Sequence, residues 1–410
     1  MRENKKTLNE RILAENVRVH NDGYVTGLNG NDLVIGTAGS GKTTHVRANL
    51  NNPCGSFVVQ DTKGTLYKQY AASLRSKGYE VSVIDFVNPD NSFGYNPLSY
   101  IRKHPDGSLV ETDVKKLATQ LTPILDRSEP FWEKAACRYV SMIIGFVLES
   151  LPESEHNMRS VIDVHREFQD YSGKDMLRAW SKESPDSYSA RKFRLMEGSL
   201  DADKTISCIM EFVNEILDGF DTNEFNKIFL NPNTFDMHEV GRKPSCVFIN
   251  TSDHDTSFAV LTTVFYSQLL QVLLDEADSQ PDGRLKVPVR LYLDDFASAA
   301  AIADFDKTIS IIRSRDIAVS VMIQSLSQLE SMYSEPRANT IINNCDHILY
   351  LGGGHDMRTA QFIGSHINRT AYSVLTLPLE KAILITRGEE PRFVTKLNPL
   401  SPVTGYERTA

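Results

Sequence analysis

Eight residues, Gly36-Thr37-Ala38-Gly39-Ser40-Gly41-Lys42-Thr43, follow directly on the apolar run Leu33-Val34-Ile35 and constrain this chain more than any other feature. They match G-x-x-x-x-G-K-[ST] behind a strand-like segment. In that setting backbone N–H groups wrap the phosphates of a nucleotide, while Lys42 and Thr43 serve the terminal phosphates and Mg²⁺. Glycine is required where an anion must approach the backbone closely and where φ turns positive. Thr44, His45 and Val46 then open a helix whose N-terminus adds partial positive charge. Residues Gly36 to Thr44 are the candidate nucleotide cradle.

From Leu33 onwards the chain alternates apolar runs with helical stretches. Runs rich in β-branched residues occur at 57–59, 81–84, 247–249, 291–293, 319–323, 348–351 and 382–385. Such runs, separated by helices, predict an α/β fold with a mostly parallel sheet covered by helices on both faces. Residues 100–221 break the rhythm. There Val114, Leu117, Ala118, Leu121, Ile124 and Leu125 mark one helical stripe, Trp132 to Leu148 a longer one, and Ile206 to Leu217 a third. The pattern predicts an all-α domain at 100–221 inserted between two parts of a nucleotide-binding domain, 1–99 and 222–410.

A nucleotide hydrolase needs an acidic residue at a second strand end to hold Mg²⁺, and a polar group to orient water. The apolar segment starting at Val289 ends in Asp294-Asp295, which makes Asp294 the candidate metal ligand and Asp295 the candidate water-polarising group. Farther on, Arg313-Ser314-Arg315 precedes a strand that ends at Gln324. A guanidinium can neutralise charge on the transferred phosphate, often from a neighbouring subunit, and a glutamine amide can sense the terminal phosphate.

Composition narrows the partners. The 410 residues carry a net charge of -9, against a surface that grips nucleic acid everywhere by counterion release. Any such contact is expected to be local, and the triplet Lys192-Phe193-Arg194 is the candidate platform for a stacked base. No apolar run reaches the length of a membrane span, and Met1-Arg-Glu-Asn-Lys-Lys lacks the apolar core of a signal peptide. A cytoplasmic chain is expected. The five cysteines show no C-x-x-C and the histidines no H-E-x-x-H, so neither a disulfide framework nor a zinc site is expected.

Taken in order, the motifs resemble the type IV secretion coupling proteins of the TraG/TraD type, the motor ATPases of conjugative elements, and most closely their Gram-positive branch. The resemblance runs from about Ile12 to Pro391. It includes the cradle, Phe57-Val-Val-Gln-Asp-Thr-Lys-Gly64, Lys77-Gly-Tyr79, Tyr95-Asn-Pro-Leu98, Glu129-Pro-Phe-Trp-Glu-Lys-Ala135, Leu293-Asp-Asp-Phe-Ala297, Arg313-Ser-Arg315, Gln324-Ser-Leu-Ser-Gln-Leu329 and Asn344-Cys-Asp346. The resemblance implies a RecA/FtsK-like P-loop domain with the inserted all-α domain, ATP and Mg²⁺ as ligands, and a homo-hexamer that moves DNA. It implies relaxase or relaxosome and the secretion channel as partners, at the inner face of the membrane. Lys42, Asp295, Arg313 and Gln324 would be catalytic, Thr43 and Asp294 would bind the metal, and Arg313 rather than Arg315 would act on a neighbour's ATP. The Pro130-Phe131-Trp132-Glu133 segment would open a helix of the all-α domain, the part that meets the relaxosome or substrate, its aromatic pair serving that contact or, the favoured reading, packing in the domain's core.

Three departures from the family pattern matter. Asp295 stands where the family has glutamate, Thr62 where it has proline, and Thr65 where it has the acid of K-G-E. Two missing glutamates imply slow turnover. The cradle also lies so near the start that the family's N-terminal membrane anchor is missing, in a shortened or a naturally anchorless form; a monomer in dilute solution is the expectation. Competing readings are an ATP-binding recruitment adaptor with little hydrolysis, a GTPase or small-molecule kinase, and a partitioning or phage motor. The lack of N-K-x-D disfavours a GTPase.

Overall fold

The computed structural model describes residues 9–122, 131–169, 171–200, 203–252, 258–296 and 301–398. Two compact units are present: residues 1–85, 236–256 and 269–410 form one, and 86–235 with 257–268 form the other. The stretch expected to be all-α, 100–221, lies within the second unit, whose ends fall at 86 and 235.

The first unit is built on strands. β1 (Glu10–Ala14) and β2 (Val17–His20) form an antiparallel hairpin. Nine more strands form one sheet: β3 (Asp32–Ile35), β4 (Ser56–Asp61), β5 (Glu80–Asp85), β6 (Ser245–Asn250), β7 (Val289–Leu293), β8 (Ile317–Ile323), β9 (His347–Tyr350), β10 (Lys381–Thr386) and β11 (Arg392–Thr395). Their order is β11-β10-β9-β3-β8-β7-β4-β6-β5. From β9 to β5 every pairing is parallel, and β10 and β11 add an antiparallel edge. All four residues of β3 and all five of β7 are buried, as expected of strands covered on both faces.

Parallel pairing sets every functional turn on one edge. β3 runs beside β8 with Ile35 opposite Ile323, and β7 runs beside β4 with Tyr292 opposite Val59. The carboxyl ends of β3, β8, β7 and β4 therefore line up, and ligands of open α/β sheets bind at that edge. At the opposite end Asp32, buried at the start of β3, receives Arg11 Nε at 2.9 Å, Arg290 Nη1 at 3.0 Å and the Ser320 hydroxyl at 3.1 Å. Burial alone would raise its pKa, but the charges of Arg11 and Arg290 outweigh burial and hold the carboxyl well below its usual range. This cluster ties β1, β3, β7 and β8 together behind the site.

The second unit is helical among its described residues apart from short turns and isolated bridges. The helix Phe131–Ser150 is buried over most of its circumference, which marks a central helix. It packs against the helices Glu111–Leu121, Met158–Gln169, Tyr188–Leu200 and Asp203–Asp218. Tyr139 places its hydroxyl 2.9 Å from His165 Nδ1 and its ring edge-on to Phe168.

Two expectations change here. Phe193 is 2% exposed and belongs to the helical core, so the face of its ring is closed to a stacked base. Lys192 instead lies over the Tyr188 ring, and Arg194 bonds the Pro185 carbonyl. The expected core role of Phe131 also fails: the ring is 60% exposed and touches Trp132 edge to face at 5.0 Å. Glu129, Pro130, Ala297, Ile124 and Leu125 lie outside the described residues. Among the described residues no helix is long and apolar enough to cross a membrane.

Candidate functional site

The cradle begins where β3 ends. Gly36 N–H donates to Ile323 O of β8 at 3.0 Å, and Ser40 N–H closes the loop onto Thr37 O at 3.1 Å. Gly39 and Gly41 have φ of 75° and 115°, a region in which a Cβ is strained. A Cβ on either would meet nothing within 4 Å, so open space lies in front of the loop where phosphates would go. Behind the loop there is no such room. A Cβ on Gly36 would collide with Ser40 Oγ and come 2.9 Å from Leu351 Cβ. Ser40 Oγ itself is buried with no hydrogen-bond partner.

Gly41 caps the helix Lys42–Asn51 without a side-chain acceptor, so no capping side chain occupies the first N–H groups of the helix. Lys42, 7% exposed, donates to Gly36 O at 2.9 Å and lies 3.4 Å from Asp295 Oδ1. Thr43 Oγ1 donates to Asp294 Oδ2 at 3.1 Å. Residues 251 apart in sequence thus meet at one point, through the pairing of β3, β8 and β7.

Asp294 and Asp295 are placed by a sharp turn. Asp295 has φ 48°, its N–H bonds Asp294 Oδ1 at 3.0 Å, and the next N–H, of Phe296, bonds Met322 O of β8 at 3.0 Å. Phe296 stacks on Tyr333 with an interplanar angle of 8°, anchoring the turn in the core. Burial raises the pKa of Asp294, and the adjacent Asp295 charge raises it further, against the opposing pull of Lys42. A divalent cation would relieve that crowding. Thr43 and Asp294 offer the hard oxygen donors that Mg²⁺ takes from P-loop proteins, so the donor set fits the metal.

The cleft between these elements measures about 300 Å³. Of the expected residues, Thr37, Ala38, Gly39, Gly41, Lys42, Thr43, Thr44, Asp294 and Asp295 line it, while Gly36 and Ser40 lie behind the loop. Arg47, Gln60, Asp61, Thr62, Lys63 and Thr65 line it as well and were not among the expected site residues. The sequence signal for them was the polar run Gln60-Asp-Thr-Lys-Gly64 at the end of β4. Three further glycines escaped notice, Gly352 to Gly354 after β9: a Cβ on Gly353 would come 2.7 Å from Thr37 Oγ1.

Gln324 follows the last residue of β8, whose carbonyl holds Gly36, so it stands exposed at the edge of the cradle. Arg313 and Arg315 do not join the cleft. They precede β8 at the amino ends of the strands, and a seven-residue strand puts them about 23 Å from Gln324. Arg315 forms a bidentate pair with Asp278 at 2.7 and 3.1 Å, whereas Arg313, among the described residues, donates only to the carbonyls of Gly23 and Gly27, each at 3.2 Å.

A glycine cradle on one strand end, acids on the end of a strand two places away, and a polar residue on the strand between them define a P-loop NTPase of the RecA-like class. Comparison with known proteins narrows the class. The family model for conjugative DNA transfer by the type IV secretory system matches residues 1–374, and the chain belongs to that family. Similar solved structures share the fold at low sequence identity. The bacterial conjugative coupling protein TrwBdeltaN70, in an unbound form, gives a TM-score of 0.71 at 16% identity, covering 97% of this chain and 90% of that one. Plasmid coupling protein TrwB with the ATP analogue ADPNP gives 0.65 at 17%, covering 91% and 87%. TrwB with ADP and Mg²⁺ gives 0.65 at 17%, covering 89% and 84%. No curated protein matches the chain.

Proposed function

We propose that this chain is an ATP hydrolase that drives DNA, or a relaxase-DNA substrate, towards a type IV secretion channel. The observation that carries the reading is the closure of one cleft by Lys42 and Thr43 on one side and Asp294 and Asp295 on the other. TrwB, a protein of the same fold, holds an ATP analogue in one structure and ADP with Mg²⁺ in another. Gly36 to Thr44 would hold the triphosphate, with backbone N–H groups and Lys42 turned from Gly36 O onto phosphate oxygens. Thr43 and Asp294 would hold Mg²⁺, which when bound shields phosphate charge and fixes the geometry of attack.

Asp295 would orient the attacking water once Lys42 shifts to phosphate, and Gln324 would report the terminal phosphate to β8. Arg313, without a carboxylate partner among the described residues, would reach a neighbouring subunit's site in a ring of six that forms on nucleotide and DNA. The sheet-bearing unit, residues 1–85, 236–256 and 269–410, does the chemistry in this reading, and the helical unit, 86–235 with 257–268, recruits substrate. The chain's place of work in this reading is the inner face of the membrane.

Steady-state ATP hydrolysis with and without DNA, against Lys42→Ala, tests the proposal. Expected is a basal rate that DNA raises several-fold and that the variant lowers by at least about a hundredfold, the usual scale for losing one transition-state charge contact. One observation favours a second reading, an adaptor that binds ATP and hydrolyses little: Asp295 is a methylene shorter than the glutamate of the family pattern. Wild type no faster than Lys42→Ala, yet still binding ATP and relaxase, would establish that reading instead.

A further inference from the structure

Three cations line the nucleotide cleft, and their surroundings differ. Lys42 is engaged by Gly36 O and Asp295, and Arg47 sits on the flank of the helix Lys42–Asn51. Lys63 is exposed in the turn between β4 and the helix Thr65–Ser76, and its side chain has no ion pair or hydrogen bond among the described residues.

That turn is built rigidly. Asp61 spends both carboxylate oxygens on the start of the helix: Oδ1 accepts from Thr65 N–H at 3.1 Å and Oδ2 from Tyr67 N–H at 3.0 Å. Gly64 N–H donates to Asp61 O at 3.2 Å and takes a φ of 61°. A Cβ on Gly64 would come 2.8 Å from Asn250 Nδ2, so the turn cannot relax in that direction. Asp61 is thereby occupied as a helix cap rather than as a partner for Lys63. Thr65, two residues on, supplies no carboxylate either.

Position completes the case. Val59 of β4 and Tyr292 of β7 are the last paired residues of these two strands, and Asp61 and Asp294, each two residues farther on, line the same cleft. The turn bearing Lys63 is therefore next to the turn bearing Asp294 and Asp295, the end of the cleft where metal and terminal phosphate belong. The six charged side chains of the cleft, Lys42, Arg47, Lys63, Asp61, Asp294 and Asp295, cancel. A magnesium nucleoside triphosphate brings net negative charge that a free cation would meet.

We propose that Lys63 contacts the terminal phosphate of the bound nucleotide, as a cation supplied by the same chain that makes the cleft prefer triphosphate over diphosphate. This rests on the ATP reading above. In hydrolysis the bond from the water oxygen to the terminal phosphorus forms while the bond to the bridging oxygen breaks, and the water's proton passes to the released phosphate. Negative charge builds on that oxygen, and a lysine in a half-closed cleft stabilises it. Lys63 keeps its proton throughout and acts as a point charge.

Calorimetric titration of the full chain with Mg²⁺ and either ADP or the nonhydrolysable analogue ADPNP tests this in wild type, Lys63→Ala, Lys63→Arg and Lys42→Ala. Lys63→Ala should weaken ADPNP about tenfold, equal to about 1.4 kcal/mol, and change ADP by less than about twofold. Lys63→Arg should restore most of the ADPNP affinity, and Lys42→Ala should weaken both nucleotides. Equal losses for the two nucleotides in Lys63→Ala, or no loss, would overturn the inference while leaving the ATP reading intact. A wild type that binds neither nucleotide overturns both.

Discussion

Asp295 carries the sharpest chemical question at the scale of single residues. Its left-handed backbone, fixed by Phe296 N–H on Met322 O, points the carboxylate at Lys42. Lys42 cannot hold both Asp295 and a phosphate at full strength, so nucleotide binding and release of Asp295 are coupled. A glutamate there would reach one methylene farther towards the terminal phosphate from the same anchored backbone. We expect Asp295→Glu to raise steady-state ATP turnover several-fold with KM little changed, the signature of an interaction made in the transition state. A rate that stays level or falls would remove Asp295 from water positioning.

At the scale of elements, the central strands depend on the buried ion cluster at their amino ends and on two enclosed histidines. His347 starts β9 beside Asp32, and His45 lies in the first turn of the cradle helix. Burial, the largest influence on each, lowers both pKa values from 6.5 to about 4. The unfolded chain binds protons near pH 6.5 and the folded chain resists them until about pH 4, so stability falls as pH drops through that window. The melting temperature should be level above pH 7 and decline between pH 6.5 and 4, and His347→Gln should flatten part of the decline. A melting temperature independent of pH down to 4 would show that the rings are accessible to protons in the folded chain.

The strands of the main sheet from β3 to β10 were legible because burial on both faces demands continuous apolar runs. The β1–β2 hairpin and β11 were not: β2 is only half-buried and β11 mostly exposed, so neither carries such a run. The cradle and the acid pair were legible because each is a local signature at a strand end. Lys63 and Asp61 were harder to find, since what brings them to the cleft is the insertion of β4 beside β7, and no local spacing encodes that pairing. Phe193 misled for a related reason. A basic-aromatic triplet reads the same whether its ring faces solvent or, as here, a helical core.

For the whole molecule, the net charge is -9, and the carboxyl edge of one sheet gathers the residues that line the nucleotide cleft. Arg313 lies at the other edge, away from the cleft of its own chain. The chain belongs to the conjugative transfer family, and the proposed mechanism rests on the meeting of Thr43 with Asp294. The most direct measurement of that mechanism is the affinity for a nonhydrolysable ATP analogue with and without Mg²⁺, in wild type and in Asp294→Asn. Mg²⁺ should tighten binding to wild type by about tenfold or more and leave Asp294→Asn nearly unchanged, as expected if Thr43 and Asp294 share one cation with the nucleotide. Binding that ignores Mg²⁺ in wild type, or a full Mg²⁺ effect in Asp294→Asn, would contradict the account.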